Sequence, residues 1–105
     1  MAGRGFDLHP LAAQDILDIW KFIADDSPHA ARRVREEILE AIRALVSFPN
    51  RGHSRLDLTS RPLRFMVVRE YLIAYAPDEK PLWVIAVMHG RRNPRVMSAI
   101  LRGRT

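Results

Sequence analysis

Pro10-Leu11-Ala12-Ala13-Gln14-Asp15-Ile16-Leu17-Asp18-Ile19-Trp20-Lys21-Phe22-Ile23-Ala24-Asp25-Asp26-Ser27-Pro28 decides the fold, because it opens one helix and, at its end, opens a second. Pro10 suits the first residue of a helix, where its missing N–H costs nothing. Ala13, Ile16, Trp20 and Ile23 then recur at three- and four-residue steps, with Ala12 and Ile19 widening the stripe. Asp15, Asp18, Phe22 and Asp25 fall on the other side, so the spacing predicts an amphipathic helix with one buried face. Ser27-Pro28 repeats the start signal, a hydroxyl at the N-cap before a proline. The next stripe is Ala31, Val34, Ile38, Ala41, Ile42 and Leu45, backed by the i,i+4 pairs Arg32–Glu36 and Arg33–Glu37. Pro49-Asn50-Arg51-Gly52 ends it. So short a connection makes the two helices an antiparallel hairpin.

Outward from the hairpin the period changes. Upstream, Phe6-Asp7-Leu8-His9 alternates weakly, as a short strand does. Downstream, Leu63, Phe65 and Val67 alternate with Arg64, Met66 and Val68, and Tyr71 to Tyr75 is apolar and aromatic. Pro77-Asp78-Glu79-Lys80-Pro81 reads as a turn. Leu82 to Met88 is a continuous apolar run, suited to a central strand covered on both faces. Gly90-Arg91-Arg92-Asn93-Pro94 breaks it, and Arg95 to Leu101 has room for one or two turns of helix. The expected architecture is α+β: a short N-terminal strand and a helical hairpin packed on a small antiparallel sheet of three or four strands. One domain spans 1–105, since 105 residues support a single core.

Charge is uneven along the chain. The net charge is +5 and the sequence pI about 10.7, the range of proteins that meet polyanions. Residues 1–40 hold eight acids against five bases, whereas residues 41–105 hold four acids and twelve bases. Nearly all the bases are arginine, suited to bidentate phosphate or carboxylate contacts. The alternative is a merely solubilising surface. Met1 to Gly5 has no apolar leader, and no run approaches a membrane span, so a cytoplasmic protein with no membrane contact is expected.

Much chemistry is excluded. There is no cysteine, hence no disulfide, thiolate metal site or cysteine nucleophile. The histidines at 9, 29, 53 and 89 have no metal-ligand spacing, and no glycine-rich phosphate loop is present, so neither metal nor cofactor is expected. What remains is the basic set Arg51, Arg55, Arg61, Arg64, Arg69, His89, Arg91, Arg92 and Arg95. Such arginines can stabilise charge in metal-free RNA cleavage, with His53 or His89 moving the proton. Alternatively His89 only caps a strand and hydrogen-bonds locally. Arg91 and Arg92, beside a glycine at a strand end, are better suited to binding. Trp20 and Trp83 read as core, while Tyr71 and Tyr75 are either core or the lining of a partner groove.

Phe6-x-Leu8-x-Pro10-x-Ala12-x-x-Asp15-Ile16-x-x-Ile19-Trp20-x-x-Ile23-Ala24 resembles the opening of ParE/RelE-superfamily toxins. Ser27-Pro28-x-Ala30-Ala31, Leu45-x-x-Phe48-Pro49-x-x-Gly52 and Arg55-x-Asp57-Leu58 followed by Leu63-Arg64 continue the likeness. Tyr71-x-Ile73-x-Tyr75 and Ile85-x-Val87-x-His89-Gly90-Arg91-Arg92 complete it, over residues 6 to about 93. His9 departs from it, standing where a serine or threonine usually caps the first helix. The resemblance implies the toxin of a type II toxin–antitoxin system, a class also associated with plasmid stabilisation and growth regulation. It implies neutralisation by a cognate antitoxin that wraps an apolar groove and a sheet edge, with Leu63, Phe65, Tyr71 and Tyr75 as expected contacts. The hetero-oligomer would bind operator DNA through the antitoxin.

The superfamily contains ribosome-dependent mRNA endoribonucleases of RelE type and DNA gyrase inhibitors of ParE type. RelE-like nucleases resemble one another in an arginine within the Tyr-x-x-x-Tyr strand, where this chain has Leu72. They also share a C-terminal tyrosine, absent here after Tyr75, and lysines before the sheet, whereas this chain has only Lys21 and Lys80. The resemblance is therefore closer to ParE. Its implied target-binding residues are His89, Arg91, Arg92 and Arg95, with no catalytic residue. The nuclease alternative would use Arg64, His89 and Arg91. A harmless antitoxin-binding remnant is a third reading.

Overall fold

The computed structural model describes residues 5–105; residues 1–4, on which the expected lack of a leader partly rests, lie outside the described residues. The chain forms β1 (Phe6–Leu8), α1 (Pro10–Ala24), α2 (Pro28–Ser47), β2 (Arg64–Val68), β3 (Tyr71–Ala76), β4 (Leu82–His89) and α3 (Pro94–Arg102). Both helix starts use the expected proline. Ser27 Oγ accepts from the Ala30 N–H at 3.1 Å, an N-cap contributing about 1 kcal/mol. His9 does the same for α1, its Nδ1 accepting from the Leu11 N–H at 3.0 Å. An imidazole thus replaces the usual hydroxyl cap.

The four strands run in the order β1-β4-β3-β2. β2, β3 and β4 form the expected antiparallel meander, but β1 joins β4 in parallel, with Phe6 opposite Leu82 and Leu8 opposite Val84. The sheet is therefore mixed rather than wholly antiparallel. The cause is the path of the hairpin. α1 continues along β4 in the direction of β1, so that Asp15 reaches the Val87 N–H. α2 then returns to the end where β1 began, bringing Val46 against Gly5 and Pro49 against the Tyr75 hydroxyl. β2 must leave in the same sense as β1. Gly5 makes this close approach with φ 82°, and a Cβ there would lie 2.7 Å from a Val46 methyl.

The sheet separates two cores. On one face α1 and α2 bury Ile16, Val34, Ile38, Ile42 and Leu45 against Tyr71, Ile73, Tyr75, Val84 and Val87. Each fully buried aliphatic side chain contributes about 1.5–3 kcal/mol. The opposite face is also covered: Leu58 and Leu63 of the 48–63 connector and Met97 and Leu101 of α3 close over Phe65, Leu72, Ile85, Ala86 and Met88. The continuous apolar runs of β3 and β4 require this second layer. α3 is longer than expected, beginning at an Asn93 cap whose Oδ1 accepts from the Arg95 N–H at 2.8 Å. Trp20 and Trp83, expected in the core, are half-buried.

Candidate functional site

The arginines divide by what their side chains touch. Arg51 lies over the Phe48 ring at 5.1 Å. Arg55 holds Asp57 through two contacts of 2.9 and 2.8 Å. Arg61 donates to the carbonyls of Leu101 at 2.9 Å and Arg104 at 2.7 Å, fastening the chain after α3 to the connector. Arg64 donates to the carbonyls of Gly52 and Asn50, which shapes the turn after α2. Arg69, in the β2–β3 turn, grips Glu37 of α2 at 2.7 and 2.8 Å. Glu37, expected to pair with Arg33, is thereby spent on a tertiary contact, and Arg33 turns to His29 instead. The Arg69 guanidinium holds the Glu37 carboxyl below its usual value, as Arg55 does for Asp57.

Arg91, Arg92 and Arg95 are different. All three are exposed, and no side-chain hydrogen bond or ion pair engages them among the described residues. Their backbone is nevertheless pinned. The Arg91 N–H donates to His89 Nδ1 at 3.1 Å, the Arg92 N–H to the His89 carbonyl at 3.0 Å, and the Arg95 N–H to Asn93. Gly90 donates to the Glu70 carbonyl at 2.7 Å. A Cβ on it would come within 3.2 Å of that same oxygen, a tight contact that favours glycine here. The result is a hydrogen-bonded loop leading into α3 that holds three guanidinium groups in solvent.

His89 serves this loop. Its Nδ1 is occupied by the Arg91 N–H, its Nε2 lies 3.4 Å from Glu70 Oε2, and its ring meets Tyr71 edge-on at 5.6 Å between centroids. Both nitrogens have local partners, as a strand-capping role requires. Arg64 pairs with Tyr75 at one end of β3, while His89 pairs with Tyr71 at the other. Four residues of strand separate those positions by about 13 Å. Arg64, His89 and Arg91 therefore do not converge on a common point. No group of three or more His, Asp or Glu side chains is placed to hold a metal ion among the described residues.

Leu63, Phe65, Tyr71 and Tyr75, the expected antitoxin contacts, are buried in the protein's own cores. Tyr75 is fully buried, its hydroxyl accepting from the Gly52 N–H at 2.9 Å and donating to the Pro49 carbonyl at 2.6 Å. Burial pushes the hydroxyls of both tyrosines up from their ordinary pKa. The exposed apolar surface lies elsewhere. A half-open groove of about 590 Å³ runs past Leu8, Leu17 and Trp20, with Arg32 and Arg35 of α2 on its rim. The sequence carried a signal for it: the apolar positions of α1 span more of the helix than one packing face uses.

The family model for the ParE toxin of type II toxin–antitoxin systems matches residues 6–94 of this chain. The chain is also similar to Toxin ParE2 of Mycobacterium tuberculosis, in strains CDC 1551 / Oshkosh and H37Rv. Identity is 24% over 102 residues in both cases, covering 97% of this chain and 96% of the relative.

Proposed function

The chain belongs to the ParE toxin family of type II toxin–antitoxin systems, and from that premise we propose that it arrests growth by poisoning DNA gyrase. The observation that carries this reading is the trio Arg91, Arg92 and Arg95, held on a pinned loop and the first turn of α3 with no side-chain partner among the described residues. His89 positions the loop rather than reacting. A surface that keeps three desolvatable cations unpaired is suited to an external, anionic counterpart. The nuclease alternative needs Arg64 beside His89, and the sheet holds them apart.

Family membership brings a cognate antitoxin as partner. We place its main contact in the groove past Leu17 and Trp20 rather than on Leu63, Phe65, Tyr71 and Tyr75, which lie beneath the surface. Apolar walls with Arg32 and Arg35 on the rim suit an amphipathic segment carrying acidic residues. Operator DNA would be met by the antitoxin part of the assembly. No helix is long and apolar enough to cross a membrane among the described residues.

The test is a gyrase supercoiling assay with the antitoxin-free protein, scoring inhibition and trapped cleaved DNA. Inhibition with double-strand breaks, lost in the Arg91→Ala, Arg92→Ala, Arg95→Ala triple variant, is the expected result. Normal supercoiling at large toxin excess would overturn the target assignment.

A further inference from the structure

The basic surface does not stop at the loop. Arg102 lies seven residues after Arg95 on α3, which places both on the same outward face, about 10 Å apart along the axis. Met97 and Leu101 hold the opposite face of that helix in the core. Between the two arginines and the connector runs a shallow cleft of about 290 Å³, bordered by Ser98 and Asp57. Asp57 is the acid nearest the cleft, and Arg55 already holds it in two contacts. From residue 80 onward the sequence contains six bases and no Asp or Glu. Of those six, Arg104 is ion-paired. The exposed loop and helix that follow β4 are therefore strongly positive.

We propose that Arg91, Arg92, Arg95 and Arg102 form a ridge that holds duplex DNA by its phosphate backbone, without reading base sequence. Three observations choose this occupant. Arginine forks match phosphate oxygens bidentately, and the ridge offers four of them on a hydrogen-bonded loop and helix. Binding of single strands needs aromatic platforms on which bases stack, and the strongly exposed aromatics, Phe22 and Phe48, lie on α1 and at the end of α2. A stable protein interface surrounds its anchoring arginines with apolar or aromatic side chains, whereas the ridge is guanidinium throughout, with Val96 on its flank. What is left is a uniform anion of regular spacing.

This deepens the gyrase reading and rests on it for where the duplex is met: a poison of an enzyme working on DNA would grip the enzyme's substrate as well. Binding through three or four phosphates predicts a log–log salt slope of about −3 to −4, or roughly a hundredfold weakening between about 50 and about 200 mM KCl.

The experiment is fluorescence anisotropy of a labelled mixed-sequence duplex titrated with the intact protein across that salt range. We expect the Arg91→Ala, Arg92→Ala, Arg95→Ala variant to lose most of the affinity and about three units of slope. The corresponding triple lysine variant, which keeps the charge, should restore much of the slope. Arg43→Ala, an equal charge loss on exposed α2 surface, should leave the slope unchanged. Thermal melting of each variant checks the fold, which these exposed side chains do not support. A flat salt response in the unaltered protein, equal binding by the alanine variant, or tighter binding to single-stranded DNA or RNA would overturn the inference. Gyrase poisoning by a protein that binds no duplex would overturn it while leaving the target reading intact. Duplex binding with gyrase untouched would support it and remove the target reading instead.

Discussion

Asp15 of α1 and Arg104, 89 residues apart in the chain, meet in a two-point ion pair at 2.6 and 3.1 Å. Each partner also takes a backbone group of β4: Arg104 Nη1 donates to the Ile85 carbonyl at 3.0 Å, and Asp15 Oδ2 accepts from the Val87 N–H at 3.0 Å. β1 covers β4 only as far as Val84. A bulge follows, since Ala74 opposes Ala86 while Tyr75 opposes Val84, and it turns these two backbone groups toward the open edge. Exposed edges invite foreign strands. Here an ion pair stands where a longer β1 would have been.

Removing either member leaves the other partly buried without its partner and frees a backbone group. Asp15→Ala and Arg104→Ala should each cost about 2–3 kcal/mol. The double variant should cost clearly less than the two added together, because one contact is lost once. Urea denaturation measures this. Strict additivity, or single losses below about 0.5 kcal/mol, would show that the pair is incidental.

Tyr75→Phe should lose about 1–3 kcal/mol, because the Gly52 N–H and the Pro49 carbonyl both depend on its hydroxyl. Gly52→Ala should also destabilise, since a Cβ would lie 2.6 Å from that hydroxyl and 2.8 Å from the Phe65 carbonyl. Combining the two relieves only the first clash. A melting temperature for Gly52→Ala equal to that of the unaltered protein would contradict this account of the turn.

If the antitoxin occupies the α1 groove, Leu17→Glu should lower its affinity at least tenfold, or about 1.4 kcal/mol, with the melting temperature unchanged. Leu17 is 43% exposed, so the free toxin tolerates the charge. Phe65→Ala should behave in the opposite way, costing about 3–5 kcal/mol of stability because its ring lies in the second core. Isothermal titration against the cognate antitoxin separates the cases, and unaltered affinity of Leu17→Glu would move the interface elsewhere.

Acid should loosen the β2–β3 turn from α2. The Glu37 carboxyl is held below its ordinary value of 4.5 by its hydrogen bonds to Arg69. A lowered folded-state pKa means a contribution that is complete above the ordinary carboxylate range and lost as pH falls through the folded value. The pair is exposed, so salt should weaken it as well. Glu37→Gln should remove that portion of the acid sensitivity. A stability profile below pH 4.5 identical for the variant and the unaltered protein would exclude a role for this pair.

The amino-acid sequence was sufficient for the elements and for their class. Proline marked the start of α1 and, after a capping serine, of α2, and the change from a period of three or four to a period of two marked the sheet. These signals are local, written within a few residues of where they act. The loop bearing Arg91 and Arg92 was legible for the same reason, as a glycine and arginines following a strand. The tertiary structure alone decided what depends on distant residues meeting. Asp15, read as an exposed acid of α1, became the partner of Arg104 and of β4. Arg64 and Arg69 were drawn from a candidate site into structural contacts. β1 lay parallel because the hairpin returned the chain to its starting end. An arginine carries the same charge whether it clamps a carbonyl or waits in solvent, and only the packing of the whole chain determines which of the two it does.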